Sequence, residues 1–101
     1  MRVLYTEQSF QSLEESMRFL LGDQNFSSEK VLGIRRLLLD RADSLAVNPY
    51  VGQYEEYLEH LEQGHRRLVE GSFKIIYRIE EEDVYITDVF DTRQSPSKMR
   101  G

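Results

Sequence analysis

The chain has no cysteine. That excludes a disulfide framework and thiolate metal centres, and it agrees with a reducing compartment. It also lacks any stretch near the roughly 20 apolar residues a membrane-spanning helix needs. The opening Met1-Arg2-Val3-Leu4-Tyr5-Thr6 turns polar at once, without the apolar core of a secretory signal. Repeats, low-complexity tracts and linkers are missing, as are a phosphate-cradling glycine loop and a Ser/His/Asp set. A single soluble cytoplasmic domain spanning 1–101 is the expectation. What is present fits it: 101 residues, 40% hydrophobic and 31% charged, give a globular chain with a thin core. A bound partner would add noticeably to the stability of so small a core.

The formal net charge is −5, which argues against a chain that binds nucleic acid over its whole surface. The charge is uneven. Gln53 to Gln63 carries Glu55, Glu56, Glu59 and Glu62 without Lys or Arg, whereas Arg66, Arg67, Lys74 and Arg78 follow with Glu70 as the only acid before Ile79. Arg93, Lys98 and Arg100 make the last ten residues basic. A solvated helix face is the simplest reading of the acidic run. His60 alone does not turn it into a metal site, and no metal or cofactor is implied.

Periodicity places the elements. Arg2 to Tyr5 reads as a strand, and Thr6 as the cap of a helix whose stripe is Phe10, Leu13, Met17, Leu20 and Leu21. Gly22-Asp23-Gln24-Asn25 stops it. A second helix begins at Ser27 or Ser28, carries Val31, Ile34, Leu38, Ala42 and Leu45, and ends before Asn48-Pro49. Leu37 widens that stripe, while Leu32 and Leu39 lie off it. Tyr54, Leu58 and Leu61 allow a short third helix over Gln53 to Gln63, capped by Gly64. The period then falls to two. His65 to Glu70, Phe73 to Ile79 and Val84 to Phe90 form an antiparallel meander turned at Gly71-Ser72 and at Glu80 to Asp83. Phe73, Ile75, Tyr77 and Ile79 share one face, and Lys74, Ile76 and Arg78 the other. The predicted class is α+β in the order β-α-α-β-β-β, with a helical hairpin on one face of a small, mainly antiparallel sheet. An apolar Ile76 among cations is the pattern of a partner groove, and Tyr54, Tyr57 and Tyr77 read as packing aromatics.

The run Gly64-His65-Arg66-Arg67-Leu68-Val69-Glu70-Gly71-Ser72-Phe73-Lys74-Ile75-Ile76-Tyr77-Arg78-Ile79 resembles the central hairpin of RelE/ParE toxins, where R-L-V-x-G-x-Y-R-I-I-Y-R recurs. Val89-Phe90-Asp91-Thr92-Arg93-Gln94-Ser95-Pro96 is similar to that family's last strand and its exit, and Asn48-Pro49 with Gly52 to its loop after the second helix. The resemblance covers the whole chain in architecture and about its last half in motif. It implies the toxin of a type II toxin–antitoxin (plasmid stabilisation) module with two possible activities. ParE-like members poison DNA gyrase. RelE-like members cleave messenger RNA on the ribosome without metal. Both are neutralised by a cognate antitoxin, which usually supplies the operator-DNA binding, so no sequence-specific DNA contact by this chain is implied.

Carried over by the hairpin match, the nuclease positions fall on His65, Arg67, Lys74 and Arg93. Metal-free cleavage needs an acid, a base and cations for the phosphate. Lys74 stands where Arg is usual and grips phosphate less well, and Met99 stands where a Tyr is usual. A lone His beside a glycine is more often a surface residue than a catalyst. The first reading is therefore a ParE-like gyrase poison that binds its target and antitoxin through Arg66, Arg67, Lys74, Ile76, Arg78 and Arg93. A RelE-like endoribonuclease using His65, Arg67, Lys74 and Arg93 is the second. A degenerate member that only binds its antitoxin is the third, left open by the acidity. In all three the antitoxin is expected to lay an amphipathic segment over the helices and the basic sheet edge.

Overall fold

The computed structural model describes residues 1–101. Strand β1 (Arg2–Tyr5) leads into helix α1 (Glu7–Gly22), α2 (Ser28–Asp43) and a short 3-10 turn (Ser44–Ala46). A two-residue strand β2 (Gln53–Tyr54) and a 3-10 segment (Glu56–Leu61) precede the meander β3 (Arg66–Glu70), β4 (Phe73–Glu80) and β5 (Asp83–Asp91), and a 3-10 turn (Pro96–Lys98) follows. The sheet runs β1-β5-β4-β3-β2, antiparallel except where β1 lies parallel to β5. The α+β class and the packed helical hairpin are as expected. The third helix is shorter than expected and of 3-10 type: Gln53 and Tyr54 pair with Arg67 and Arg66 instead, and Glu62 rather than Gly64 is its closing residue.

Both helix starts follow their caps. Thr6 accepts the Ser9 amide and Ser27 the Lys30 amide, each satisfying an amide that has no partner within the helix. The core joins Leu13, Met17 and Leu20 of α1, Val31, Leu38 and Ala42 of α2, and Leu68, Phe73, Ile75, Tyr77, Val84, Ile86 and Val89 of the sheet. The stripe of α1 is rotated from expectation, because Ser9, Ser12 and Ser16 are buried while Phe10 and Leu21 are each 42% exposed. Phe10 stacks on Tyr5 at the rim, with ring centroids 5.1 Å apart. Small serines let α1 approach β5 closely, and Gln8 Nε2 donates to the Thr87 carbonyl at 2.9 Å.

One bulge sets the chemistry of β5. Tyr77 pairs with Ile86 and Ile76 with Asp88, leaving Thr87 unpaired between them. An extra residue reverses the alternation, so Val84 and Ile86 enter the core before the bulge and Val89 after it. The sheet face away from the helices thereby receives Asp88 opposite Ile76 and Phe90 opposite Lys74.

Candidate functional site

The sheet face away from the helices carries Arg67 on β3 and Lys74, Ile76 and Arg78 on β4. Cross-strand pairing keeps them on one side, since Arg67 stands opposite Ile76. Arg66 does not belong there. It pairs with core-facing Tyr77, and its guanidinium lies 4.2 Å from the ring centre of Tyr54 and donates to the Gly52 carbonyl at 2.7 Å. Ile76, expected to stand exposed among the cations, is completely buried at 0% exposure. It forms a second small cluster with Leu58, Phe90 and Met99, because the 3-10 segment and the residues after Pro96 cover this face. Alternation locates a side chain on a face but does not reveal what folds back over that face.

The cations are held by partners within the chain. Lys74 Nζ is 2.8 Å from Glu55 Oε1, and Arg67 approaches the same oxygen at 3.9 Å. Arg67 also donates to Gln53 Oε1 at 3.0 Å and to the Tyr54 carbonyl. Glu55, read in the sequence as part of a solvated face, is 2% exposed. Its other oxygen accepts the Tyr57 amide at 3.2 Å, so it caps the 3-10 segment as well. Arg78 pairs with Glu80 and lies over the Tyr85 ring at 4.8 Å. Arg93 sits apart, in a double hydrogen bond to Asp91 at 2.9 and 2.7 Å. Burial works to raise the Asp91 carboxyl, but the bonds from the Arg93 side chain and amide outweigh it and hold Asp91 below the ordinary carboxylate range.

His65 is not a surface residue. It is 3% exposed, and neither ring nitrogen has a hydrogen-bond partner. Burial, with the Arg78 charge on the neighbouring strand, lowers its tendency to hold a proton. The group that could act as acid or base is thus kept neutral and covered. Asp88 is also 3% exposed, and burial raises its carboxyl despite hydrogen bonds from Ser12 and the Arg100 amide. It lines a cleft of about 870 Å³ with Ser12, Asp91, Arg93, Lys98 and Arg100. No three His, Asp or Glu side chains are arranged to hold a metal ion. No helix is long and apolar enough to cross a membrane.

The fold and this face define a small α+β protein whose cations are braced by buried carboxylates. The chain belongs to the family of ParE toxins of type II toxin–antitoxin systems, whose model matches residues 3–96. Among solved structures it is similar to a chromosomal ParDE system from P. aeruginosa. That likeness has a TM-score of 0.72 at 17% identity over 90% of this chain and 95% of the other, and shows the fold. No curated protein sequence matches it. Family membership implies an antitoxin partner.

Proposed function

We propose that this toxin arrests growth by binding DNA gyrase, as the ParE resemblance implies, and that it works by contact rather than by cleaving RNA. One observation carries the reading: each position that the nuclease comparison singles out is either covered or already paired within the chain. His65 is covered and has no partner, Lys74 sits on Glu55, Arg67 on Gln53 and Tyr54, and Arg93 on Asp91. A phosphate entering this face would have to displace buried carboxylates from their cations, at the cost of leaving them unpaired. Rigid, pre-paired side chains suit recognition of a protein surface, where bidentate guanidiniums and aromatics dominate. The contact residues proposed are Arg67, Lys74, Arg78 and Arg93, with Ile76 supporting them from beneath. The test is a supercoiling assay with purified protein and gyrase, run beside an RNA-integrity assay on translating ribosomes. Loss of supercoiling with intact RNA supports the reading.

The antitoxin is proposed to lie over the helical hairpin. Leu32 is 62% exposed and Leu37 47%, and Leu37 borders a small apolar cleft with Phe26, Ile34 and Phe73 at the β3–β4 turn. Leu39 contributes less than its sequence position suggests, since it packs against the core. Co-expression with the adjacently encoded protein, followed by pull-down, tests the pairing. Substituting Leu32 and Leu37 by Ser should weaken recovery while leaving the fold intact.

A further inference from the structure

Residues 95–101 cross the sheet face that holds the cations. Only a few contacts keep them there. Met99, 7% exposed, completes the cluster of Leu58, Ile76 and Phe90. The Arg100 amide donates to Asp88 Oδ2 at 2.9 Å, and Gln8 Nε2 reaches the Gly101 carbonyl at 3.4 Å. Neither Lys98 nor Arg100 forms an ion pair. Gly101 presses on the imidazole so closely that a Cβ there would stand 2.7 Å from His65 Cε1 and Nε2 and 2.5 Å from Leu61 Cδ1. His65 therefore lies in a closed slot between β3, the 3-10 segment and this crossing stretch, with both nitrogens unpartnered. A neutral ring is tolerated in such a slot. An imidazolium, which must donate two hydrogen bonds, makes neither of them in this slot and faces Arg78.

We propose that residues 95–101 form a proton-released strap, in which charging His65 lifts the strap off the sheet and uncovers Ile76 and Phe90 between Arg67, Lys74 and Arg78. The face exposed is the one assigned above to target contact, so the strap would regulate that site. Its release stands or falls independently of which target binds. The charged groups around the slot bear on the sign. From β4, Arg78 opposes the imidazolium. From the 3-10 side, Glu55 is already committed to Lys74, and its backbone amide bonds the His65 carbonyl at 2.9 Å. Glu56, Glu59, His60 and Glu62 of that segment are exposed to solvent. From the strap side, Asp88 holds the Arg100 amide, and protonating that carboxyl would weaken its strength as an acceptor. A histidine harder to protonate when closed than when open contributes to closure above the ordinary value of about 6.5, and that contribution is lost as pH falls. Below about pH 6.5, each unit favours the open form by up to roughly tenfold until the closed-state value is reached.

The three methionines give the readout, since Met1 is exposed, Met17 sits in the main core and Met99 pins the strap. Carbon-13 labelling of their methyl groups yields one resonance each. Between about pH 7.5 and 5.5 the Met99 signal should move toward the mobile position of Met1, while Met17 stays fixed. In the same titration the His65 ring signals should change with the Met99 midpoint. His65→Gln, neutral throughout, should hold Met99 in place, and Asp88→Asn should leave the transition present. Three results would overturn the proposal: a stationary Met99, Met99 and Met17 moving together, or an unchanged Met99 transition in His65→Gln. The wild-type titration decides the matter even if the variant folds poorly. A Met99 transition with no gyrase effect would separate the strap from the target reading.

Discussion

Lys74 Nζ stands 2.8 Å from Glu55 Oε1, and that carboxylate is 2% exposed. The pair joins β4 to the turn that follows β2, so one interaction both neutralises a cation on the sheet and fixes the segment that covers Ile76. A cation that the hairpin resemblance singles out is thus held as a strut. Such pairs are costly to break from one side, because the survivor is left buried and alone.

Lys74→Ala should accordingly destabilise the protein by about 3 kcal/mol, since Arg67 at 3.9 Å is a poor replacement. Lys74→Met combined with Glu55→Gln should lose clearly less than the two single changes together. Denaturant midpoints for the four proteins check this. Strictly additive losses would contradict the coupling.

The Tyr77 hydroxyl accepts the Gly52 amide at 2.9 Å and donates to the Pro49 carbonyl at 2.8 Å, tying the loop after α2 to the centre of the sheet. A Cβ on Gly52 would fall 2.5 Å from that hydroxyl and 2.6 Å from the Arg67 carbonyl. Gly52→Ala should therefore cost on the order of 2–3 kcal/mol through forced backbone movement. Tyr77→Phe should cost about 1–3 kcal/mol, since the buried Gly52 amide and the half-buried Pro49 carbonyl lose their partner. Thermal melts of both variants give the comparison, and a neutral Gly52→Ala would show that the loop is not held as described.

Asp91 supplies an acid-side prediction. Its carboxyl is held below the ordinary value, so it contributes stability above that value, and the contribution is lost as pH falls through the lower folded-state value. Between about pH 5 and 2 the melting temperature should fall less steeply in Asp91→Asn than in the wild type. The effect will be modest because the Arg93 side chain is 46% exposed.

The two adjacent arginines should separate by function. Arg66→Ala removes bonds to Gly52 and Tyr54 and should lower stability by about 1–2 kcal/mol without altering target affinity of the folded protein. Arg67→Ala, on the other side of the sheet, should weaken target binding about tenfold or more. Binding measured on folded protein, alongside melting curves, distinguishes them. Equal effects of both on affinity would contradict the assignment of faces.

Much of the architecture was legible, and the reasons are local. Thr6 and Ser27 carry their own capping oxygens, Asn48-Pro49 stops a helix, and Phe73, Ile75 and Tyr77 alternate into the core as written. What was hidden depends on distant contacts. Gln53 and Tyr54 become a strand only because Arg67 and Arg66 lie opposite. Ser12 and Ser16 are buried because α1 must approach β5, which hydropathy opposes. The bulge at Thr87 leaves no mark in composition, yet it decides which way Asp88 and Phe90 face. The motif match named His65, Arg67, Lys74 and Arg93 as candidates, but it carried no information on what covers or pairs them. Covering His65 takes Gly101 from 36 positions away in sequence, and neutralising Lys74 takes Glu55 from across the sheet.

The central claim is that these braced cations bind a protein target and do not cleave RNA. The most direct measurement is a gyrase supercoiling assay with the purified chain, with and without its neighbouring gene product, beside messenger-RNA integrity in translating extract. The account predicts inhibited supercoiling that the neighbour relieves, weaker inhibition with Arg67→Ala, and intact RNA. RNA cleavage that depends on His65, with gyrase unaffected, would contradict it.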